Sequence, residues 1–379
     1  MQQHYMDFNA TAPIRPEVIE AVTKALSTVG NPSSVHGFGR SARRLVEDAR
    51  RSVAALVGGR SQDVVFTSGG TEANNIALKG SGRERLLVGA GEHDSVLQAA
   101  PDAIRVPLNA DGTLDLERLE HLLAASAAPA LLSVMLGNNE TGVIQPVSEA
   151  AAIARRHGVM VHCDAVQAAG KMPLDIAALD VDMLTLSAHK IGGPQGVGAL
   201  VLAPGVELKP LLRGGGQERR RRAGTENVAG CAGFGVAADL AAAQLTKAQS
   251  LASWRDEMER KISVVSPASK IYGQEALRLP NTTCVTMPDV AAETQVMALD
   301  LAGIAVSSGS ACSSGKVQPS HVLKAMGASD EDAANAIRIS LGWSSEAEDI
   351  EAFVKAWTAL FHRHAGRDTS PAAPASSVA

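Results

Sequence analysis

Between about Asp63 and Ala203, short apolar runs alternate with segments of helical period. DVVFTSGG (63–70), RLLVGAG (85–91), ALLSVML (130–136), GVMVHCD (158–164), DMLTLSA (182–188) and GVGALVLA (196–203) predict strands, bounded by glycine or polar residues. TEANNIALKG (71–80) and SEAAAIARRHG (148–158) predict intervening helices, the second stopping at a glycine. That rhythm predicts an α/β fold with a mostly parallel sheet. After Gly230 an alanine-rich stretch predicts one long helix or two joined ones, carrying the chain into a smaller domain. There NTTCVTM, GIAVSSG and AIRISL predict short strands among helices, an α+β pattern. The small polar residues of GRDTSPAAPASSVA (366–379) predict a disordered tail.

Composition changes this picture little. The chain has 379 residues, 45% hydrophobic and 20% charged, enough for two domains. A formal charge of −5 gives no overall basic field for nucleic acid. Four cysteines (Cys163, Cys231, Cys284 and Cys312) form no CxxC pair and no zinc-binding spacing, so a reducing, cytoplasmic setting is expected. MQQHYMDFNATAP has no basic stretch followed by an apolar run, and no apolar run approaches the ~20 residues of a membrane helix. Neither a signal peptide nor a membrane partner is expected.

Ligands of open parallel sheets bind beyond the carboxyl ends of the strands, and four singular segments fall at such ends. In SGGTEANN (68–75) a strand ends in glycines and a helix opens at Thr71, a cradle for phosphate or an ordinary N-capped turn. In VHCDAVQ (161–167) Asp164 closes an apolar strand, where a carboxylate needs a cationic partner or serves as an N-cap. A protonated pyridine ring, as in pyridoxal 5'-phosphate (PLP), is one such partner. In LSAHKIGGPQGVGAL (186–200) Lys190 follows a strand, placed to lose its proton by desolvation and condense with an aldehyde. Ser187 and His189 flank it as phosphate donors. In SSGSACSSG (307–315) Cys312 lies in a run of serine, glycine and alanine that predicts an exposed loop and a working thiol. The other three cysteines sit in apolar or strand-like settings and predict inert core residues.

Together and in this order, these segments resemble the cysteine desulfurases of the NifS/IscS-like group, fold-type I PLP enzymes related to class V aminotransferases. The likeness runs from YMDFNATAP (5–13) to AIRISLGW (336–343), through GNPSSVHGFG (30–39), MLGNNETGVIQP (135–146), LLRGGGQERRRRAGTENVAG (211–230) and PSHVLKAMG (319–327). It implies a large PLP-binding domain over 16–250 with a mostly parallel seven-stranded sheet. A smaller α+β domain over 1–15 and 251–365 would carry the cysteine loop. It implies further that Lys190 carries PLP, Asp164 pairs with the ring nitrogen, Gln167 reaches the phenolic oxygen, Asn139 also contacts the cofactor, and His93 stacks on the ring and shuttles protons. Gly70, Thr71, Ser187 and His189 would hold the phosphate, with Thr225 contributed by the neighbouring subunit of a homodimer. Asn139 and Arg338 would hold the carboxylate of L-cysteine, and Cys312 would become the persulfide. An iron–sulfur scaffold and other acceptors would take the sulfur, with Cys312 as a transient iron–sulfur ligand shared with the scaffold.

Alternatives remain at this point. QERRRRAG (217–224) fits a subunit-interface loop better than a nucleic-acid patch. A related aminotransferase or selenocysteine lyase would share the lysine, aspartate and cradle but would need no loop cysteine; Cys312 argues against the aminotransferase, and selenocysteine stays open as a further substrate. A sulfur-relay module without catalysis would not need the lysine, aspartate and histidine. Whether the sulfur feeds nitrogenase, housekeeping iron–sulfur assembly or tRNA thiolation is open.

Overall fold

Each run predicted as a strand between Asp63 and Ala203 forms one, trimmed at its polar or glycine ends. The computed structural model describes residues 3–309 and 319–368; Cys312 and its immediate neighbours therefore lie outside the described residues. In chain order the strands are β1 His4–Tyr5, β2 Val64–Thr67, β3 Arg85–Gly89, β4 Ile104–Val106, β5 Ala130–Met135, β6 Met160–Asp164, β7 Met183–Ser187, β8 Gly198–Leu202, β9 Thr282–Thr286, β10 Ile304–Ala305, β11 Ser307–Ser308 and β12 Ala336–Ser340.

The seven-stranded sheet has the order β2-β8-β7-β6-β5-β3-β4. β8 runs against both neighbours, and the remaining pairs are parallel. The reversal has a plain cause. The segment from Ala188 to Val197 is too short for the dozen or more residues of a parallel crossover, so the chain can only turn back. Gly198, at the start of β8, pays for that return by lacking a side chain: a Cβ there would stand 2.7 Å from the Gly69 backbone. β4 is an edge strand that the hydrophobic pattern did not announce, since only one of its three residues is buried.

One hydrophobic core covers a face of this sheet and includes Val18, Val53, Phe66, Leu132, Val161 and Phe234. A smaller cluster around Val65, Ile76, Leu131 and Leu200 covers the other face. On the first side, helix Gly37–Leu56 meets helix Val228–Ala243 so closely that a Cβ on Gly235 would lie 2.7 Å from the Ala49 Cα. The alanine-rich stretch forms two helices, Val228–Ala243 and Leu245–Val265, bent by 66°. The second delivers Leu251, Met258 and Ile262 to a separate core with Met6, Ile337, Phe353 and Trp357. That core covers the antiparallel sheet β11-β12-β9. β1 pairs with β10, so the first described residues belong to it as well. The last helix, Ala347–Asp368, continues into the stretch expected as a tail, and residues 369–379 lie outside the description. Among the described residues no single helix is long and apolar enough to cross a membrane.

The arginine run has structural work within its own chain. Glu218, Arg219 and Arg220 occupy three successive left-handed conformations, at φ 45°, 55° and 67°, each disfavoured for a side-chain-bearing residue. The turn is held by Glu218, whose carboxylate accepts from Arg50 Nη1 and Nη2 at 2.7 and 2.8 Å and from the Phe66 N–H at 2.9 Å, all buried. Arg222 pairs with Glu72, and Arg219 and Arg221 donate to the Gln62 carbonyl. Glu218→Ala removes the bidentate partner of buried Arg50, leaving it Glu47 and the Val64 carbonyl, and is expected to cost about 3 kcal/mol. Arg220→Gly relieves a left-handed residue on the surface and is expected to gain about 1 kcal/mol. Urea unfolding of both variants checks the opposite signs.

Candidate active site

The carboxyl ends of β2, β3, β5, β6 and β7 converge on one edge of the large sheet. There they surround a cavity of about 250 Å³ lined by Gly70, Thr71, Asn74, His93, Ser95, Met135, Asn139, Asp164, Gln167, Ser187, His189 and Lys190, among others. His93, Gly70, Thr71, Asn139, Asp164, Gln167, Ser187, His189 and Lys190, all singled out from sequence, are thus brought together. Thr225 is exposed and off the cavity wall. Arg338 also lies off that wall but donates to the Asn139 carbonyl at 3.2 Å. Cys312 is outside the described residues.

At one end of the cavity the helix Gly70–Gly80 begins. Its N-cap is Gly69 with no capping side chain, which corrects the ordinary reading of Thr71 as the cap: Thr71 lies in the first turn. The first N–H groups and the positive end of the helix dipole therefore face the cavity without a side-chain acceptor. A Cβ on Gly70 would approach Val166 Cγ2 to 3.0 Å and Ser187 Cβ to 3.7 Å, so glycine leaves the space of the cradle open.

At the other end Asp164 closes β6, 7% exposed. Its carboxylate accepts from Asn74 Nδ2 at 2.7 Å and from the Val166 N–H at 3.0 Å, and among the described residues it forms no ion pair with a lysine or arginine. A buried carboxylate of this kind calls for a cation in the cavity. Asn74 also donates to Ser95 Oγ at 2.8 Å, and Ser95 Oγ lies 2.9 Å from His93 Nδ1. The Ser95 N–H donates to the same Nδ1 at 3.1 Å, so that nitrogen is an acceptor and the neutral ring carries its proton on Nε2. Burial, helped by Lys190 and opposed by Asp164, holds His93 below its ordinary pKa. Burial and Lys190 bring His189 down to about 4. Among the described residues Asp164 is the one carboxylate on the wall, beside two imidazoles held below their ordinary pKa.

Lys190 Nζ donates to the carbonyls of Asn9 and Ala10 at 2.6 and 2.7 Å. Gln167 Nε2 donates to the same Asn9 carbonyl at 2.9 Å, while its Oε1 accepts from Lys171 Nζ at 2.8 Å. Arg338 is anchored by Asp7 at 2.7 Å, and its buried Nε has no partner among the described residues. Asp7, Asn9, Asn74, Ser95 and Lys171 were not identified from sequence. Asn74 follows Gly70 by one helical turn, a spacing that could have flagged it. The others carry no local signature. The three described cysteines are buried, and burial raises each thiol pKa above its ordinary value, as expected for inert core residues.

The profile of the aminotransferase class-V family matches residues 4–353. The chain belongs to that family. It is 43% identical over 364 residues to a cysteine desulfurase of Cereibacter sphaeroides, covering 92% of this chain and 93% of that one. It is 40% identical to the cysteine desulfurase IscS of Dictyoglomus turgidum, covering 91% of both chains. A NifS-like protein from Rickettsia africae superposes with a TM-score of 0.87 at 37% identity, covering 95% of this chain and all of that one. SspA, solved in complex with cysteine, superposes with a TM-score of 0.76 at 30% identity, over 89% of this chain and 98% of that one. The NifS/IscS-like resemblance and the α/β fold with its mostly parallel sheet are thereby established for this class-V chain.

Behind Asp164, the wholly buried His162 lies between Ser133 Oγ and Thr185 Oγ1, each at 2.9 Å. Burial, only partly opposed by Asp164, lowers its pKa from 6.5 to about 4. The folded state thus resists protonating this ring. Its contribution is fully present above about pH 6.5 and is lost as pH falls towards 4, roughly 3 kcal/mol in all. His162→Gln is expected to flatten the fall in stability across that window by this amount, measured from urea midpoints at successive pH values.

Proposed function

We propose that the protein is a PLP-dependent cysteine desulfurase that converts L-cysteine to L-alanine and passes the sulfur to acceptors through a persulfide on Cys312. The observation that carries the reading is one cavity with an uncapped helix start and hydroxyls at one end, a buried carboxylate with no ion pair among the described residues at the other, and Lys190 on its wall. That donor set suits PLP: an anion-binding end for the phosphate and an anion for a protonated ring nitrogen. Gly70, Thr71, Ser187 and His189 would hold the phosphate, Asp164 the ring nitrogen, Gln167 the phenolic oxygen, and Lys190 the aldehyde carbon, with His93 stacked on the ring. When bound, PLP supplies an electron sink for charge developing at the substrate Cα.

The remaining roles belong to this chain's own residues. Arg338 and Asn139 would orient the substrate carboxylate, the buried Arg338 Nε offering an unused donor for it. The Lys190 amine would remove the Cα proton, and His93, with its proton on Nε2, would serve proton transfer near the ring. The Cys312 thiolate would attack the substrate sulfur, forming an S–S bond as the carbon–sulfur bond breaks. A reducing, cytoplasmic setting suits a working thiol. An iron–sulfur scaffold, sharing Cys312 as a transient iron–sulfur ligand, and other thiol acceptors would then take the sulfur.

The deciding experiment is anaerobic incubation of the PLP-loaded protein with L-cysteine and a thiol reductant, with alanine and sulfide quantified together. Equal amounts are expected from the wild type and neither from Cys312→Ala, which should keep its cofactor absorption. Keto-acid products without sulfide would favour the aminotransferase reading.

We also propose that a second copy completes the site with Thr225. Val35 and Phe38 are 85% and 67% exposed, and Leu211 and Leu212 are also exposed. The 32–50 and 216–219 segments line one surface cleft, so the helix that carries Phe38 and the loop before Thr225 meet there. Phe38→Asp is expected to shift the protein from dimer to monomer in sedimentation and weaken PLP retention at least tenfold.

A further inference from the structure

Lys171 has no part in the roles assigned above, yet it is among the most enclosed charged side chains near the cavity, 8% exposed. Buried lysines are rare unless paired, and among the described residues Lys171 forms no ion pair. Its Nζ instead donates to two amide oxygens, Asn9 Oδ1 and Gln167 Oε1, both at 2.8 Å. The charged groups facing it are Lys190 and Arg338, both cations, with Arg15 and Lys247 across a small cavity that Lys171 and Lys190 also line. Burial, reinforced by the two cations, lowers the Lys171 pKa well below its ordinary value. Even as a neutral amine it has two N–H donors, one for each oxygen.

Gln167 is thereby gripped on both sides of its carboxamide. Oε1 accepts from Lys171, and one Nε2 hydrogen goes to the Asn9 carbonyl at 2.9 Å. The second Nε2 hydrogen is left for the cavity that Gln167 lines. A flipped amide would set Oε1 against the Asn9 carbonyl, acceptor against acceptor, and would forfeit the bond that Lys171 donates to Oε1. The bond to Oε1 also polarises the amide and strengthens its remaining N–H as a donor.

We infer that Lys171 is a positioning residue that locks the Gln167 carboxamide with its N–H towards the cavity, so that the cofactor's phenolic oxygen meets a donor and never a carbonyl. The inference rests on the PLP reading above. A weaker donor makes that oxygen more basic, so the neighbouring proton is held to higher pH.

The test is a pH titration of the visible absorption of the PLP-loaded full chain. Lys171→Met is expected to move the midpoint upward by about one pH unit, roughly tenfold in proton affinity. Lys171→Arg, which keeps the donors, should restore most of the wild-type midpoint. In a Gln167→Leu background, Lys171→Met should move the midpoint by less than a third as much. A Lys171→Met protein that melts earlier yet titrates with the wild-type midpoint would overturn the inference and leave Lys171 a structural tether. A full shift persisting in the Gln167→Leu background would also overturn it, since Lys171 would then act by charge alone. Should Lys171→Met fail to fold, Lys171→Gln, too short to reach both oxygens, carries the same comparison. If the wild type shows no visible PLP band at all, the cofactor reading fails first and this inference with it.

Discussion

Asn9 is the residue on which both halves of the molecule close. It is 1% exposed, and every polar group it has is engaged. Its N–H donates to Ser340 Oγ, and its Nδ2 donates to the Asn139 carbonyl and to Thr282 Oγ1. Its Oδ1 accepts from Lys171 and Asn281, and its carbonyl accepts from Gln167 and Lys190. Ser340, Asn281 and Thr282 belong to the small sheet and its approach, while Gln167, Lys171 and Lys190 follow strands of the large one. Each bond is individually modest, but removing the residue would strand several buried partners at once, where the penalty for an unmade bond exceeds the gain from a made one. Pairing of β1 with β10 brings the ninth residue here: the chain start is drawn into the second core, then crosses beneath the cavity. The site thus depends on the junction between two cores more than on either core alone.

Charge in the cavity follows from burial. Asp164 supplies the one carboxylate of the wall among the described residues, and burial beside Lys190 holds the histidines around it below their ordinary pKa. The same desolvation silences Cys163, Cys231 and Cys284, whose thiols would need to ionise in an apolar interior. The fourth cysteine of the chain is Cys312, to which the proposed function assigns the nucleophilic sulfur.

The large sheet was legible because its strands are continuous apolar runs closed by glycine or polar residues. The same punctuation marked the cavity, since residues at strand ends share one edge of a parallel sheet. The reversal of β8 was implicit in the length of the segment before it, while β4 was hidden because its residues are mostly exposed. What sequence could not show was the layer behind the first contacts. Asn9 and Lys171 act through acceptors brought close only by tertiary folding, across 162 residues in their mutual bond. The arginines of 219–222 were legible as an unusual charge run but not as ties to Gln62 and Glu72, because their partners lie on elements about 150 residues away.

That second layer is what turns a group of strand ends into a directed site. From Asp164 one line runs through Asn74 and Ser95 to His93, where the Ser95 N–H fixes which imidazole nitrogen bears the proton. From Asn9 another runs through Lys171 to Gln167, fixing which end of an amide meets the cavity. Both lines use a group with donors on two sides to impose a single orientation on a side chain whose alternatives are nearly the same in shape. Shape and packing cannot distinguish a flipped amide or the other imidazole tautomer, whereas a buried donor facing a donor costs enough to do so. The polar network therefore contributes orientation that the apolar core cannot supply.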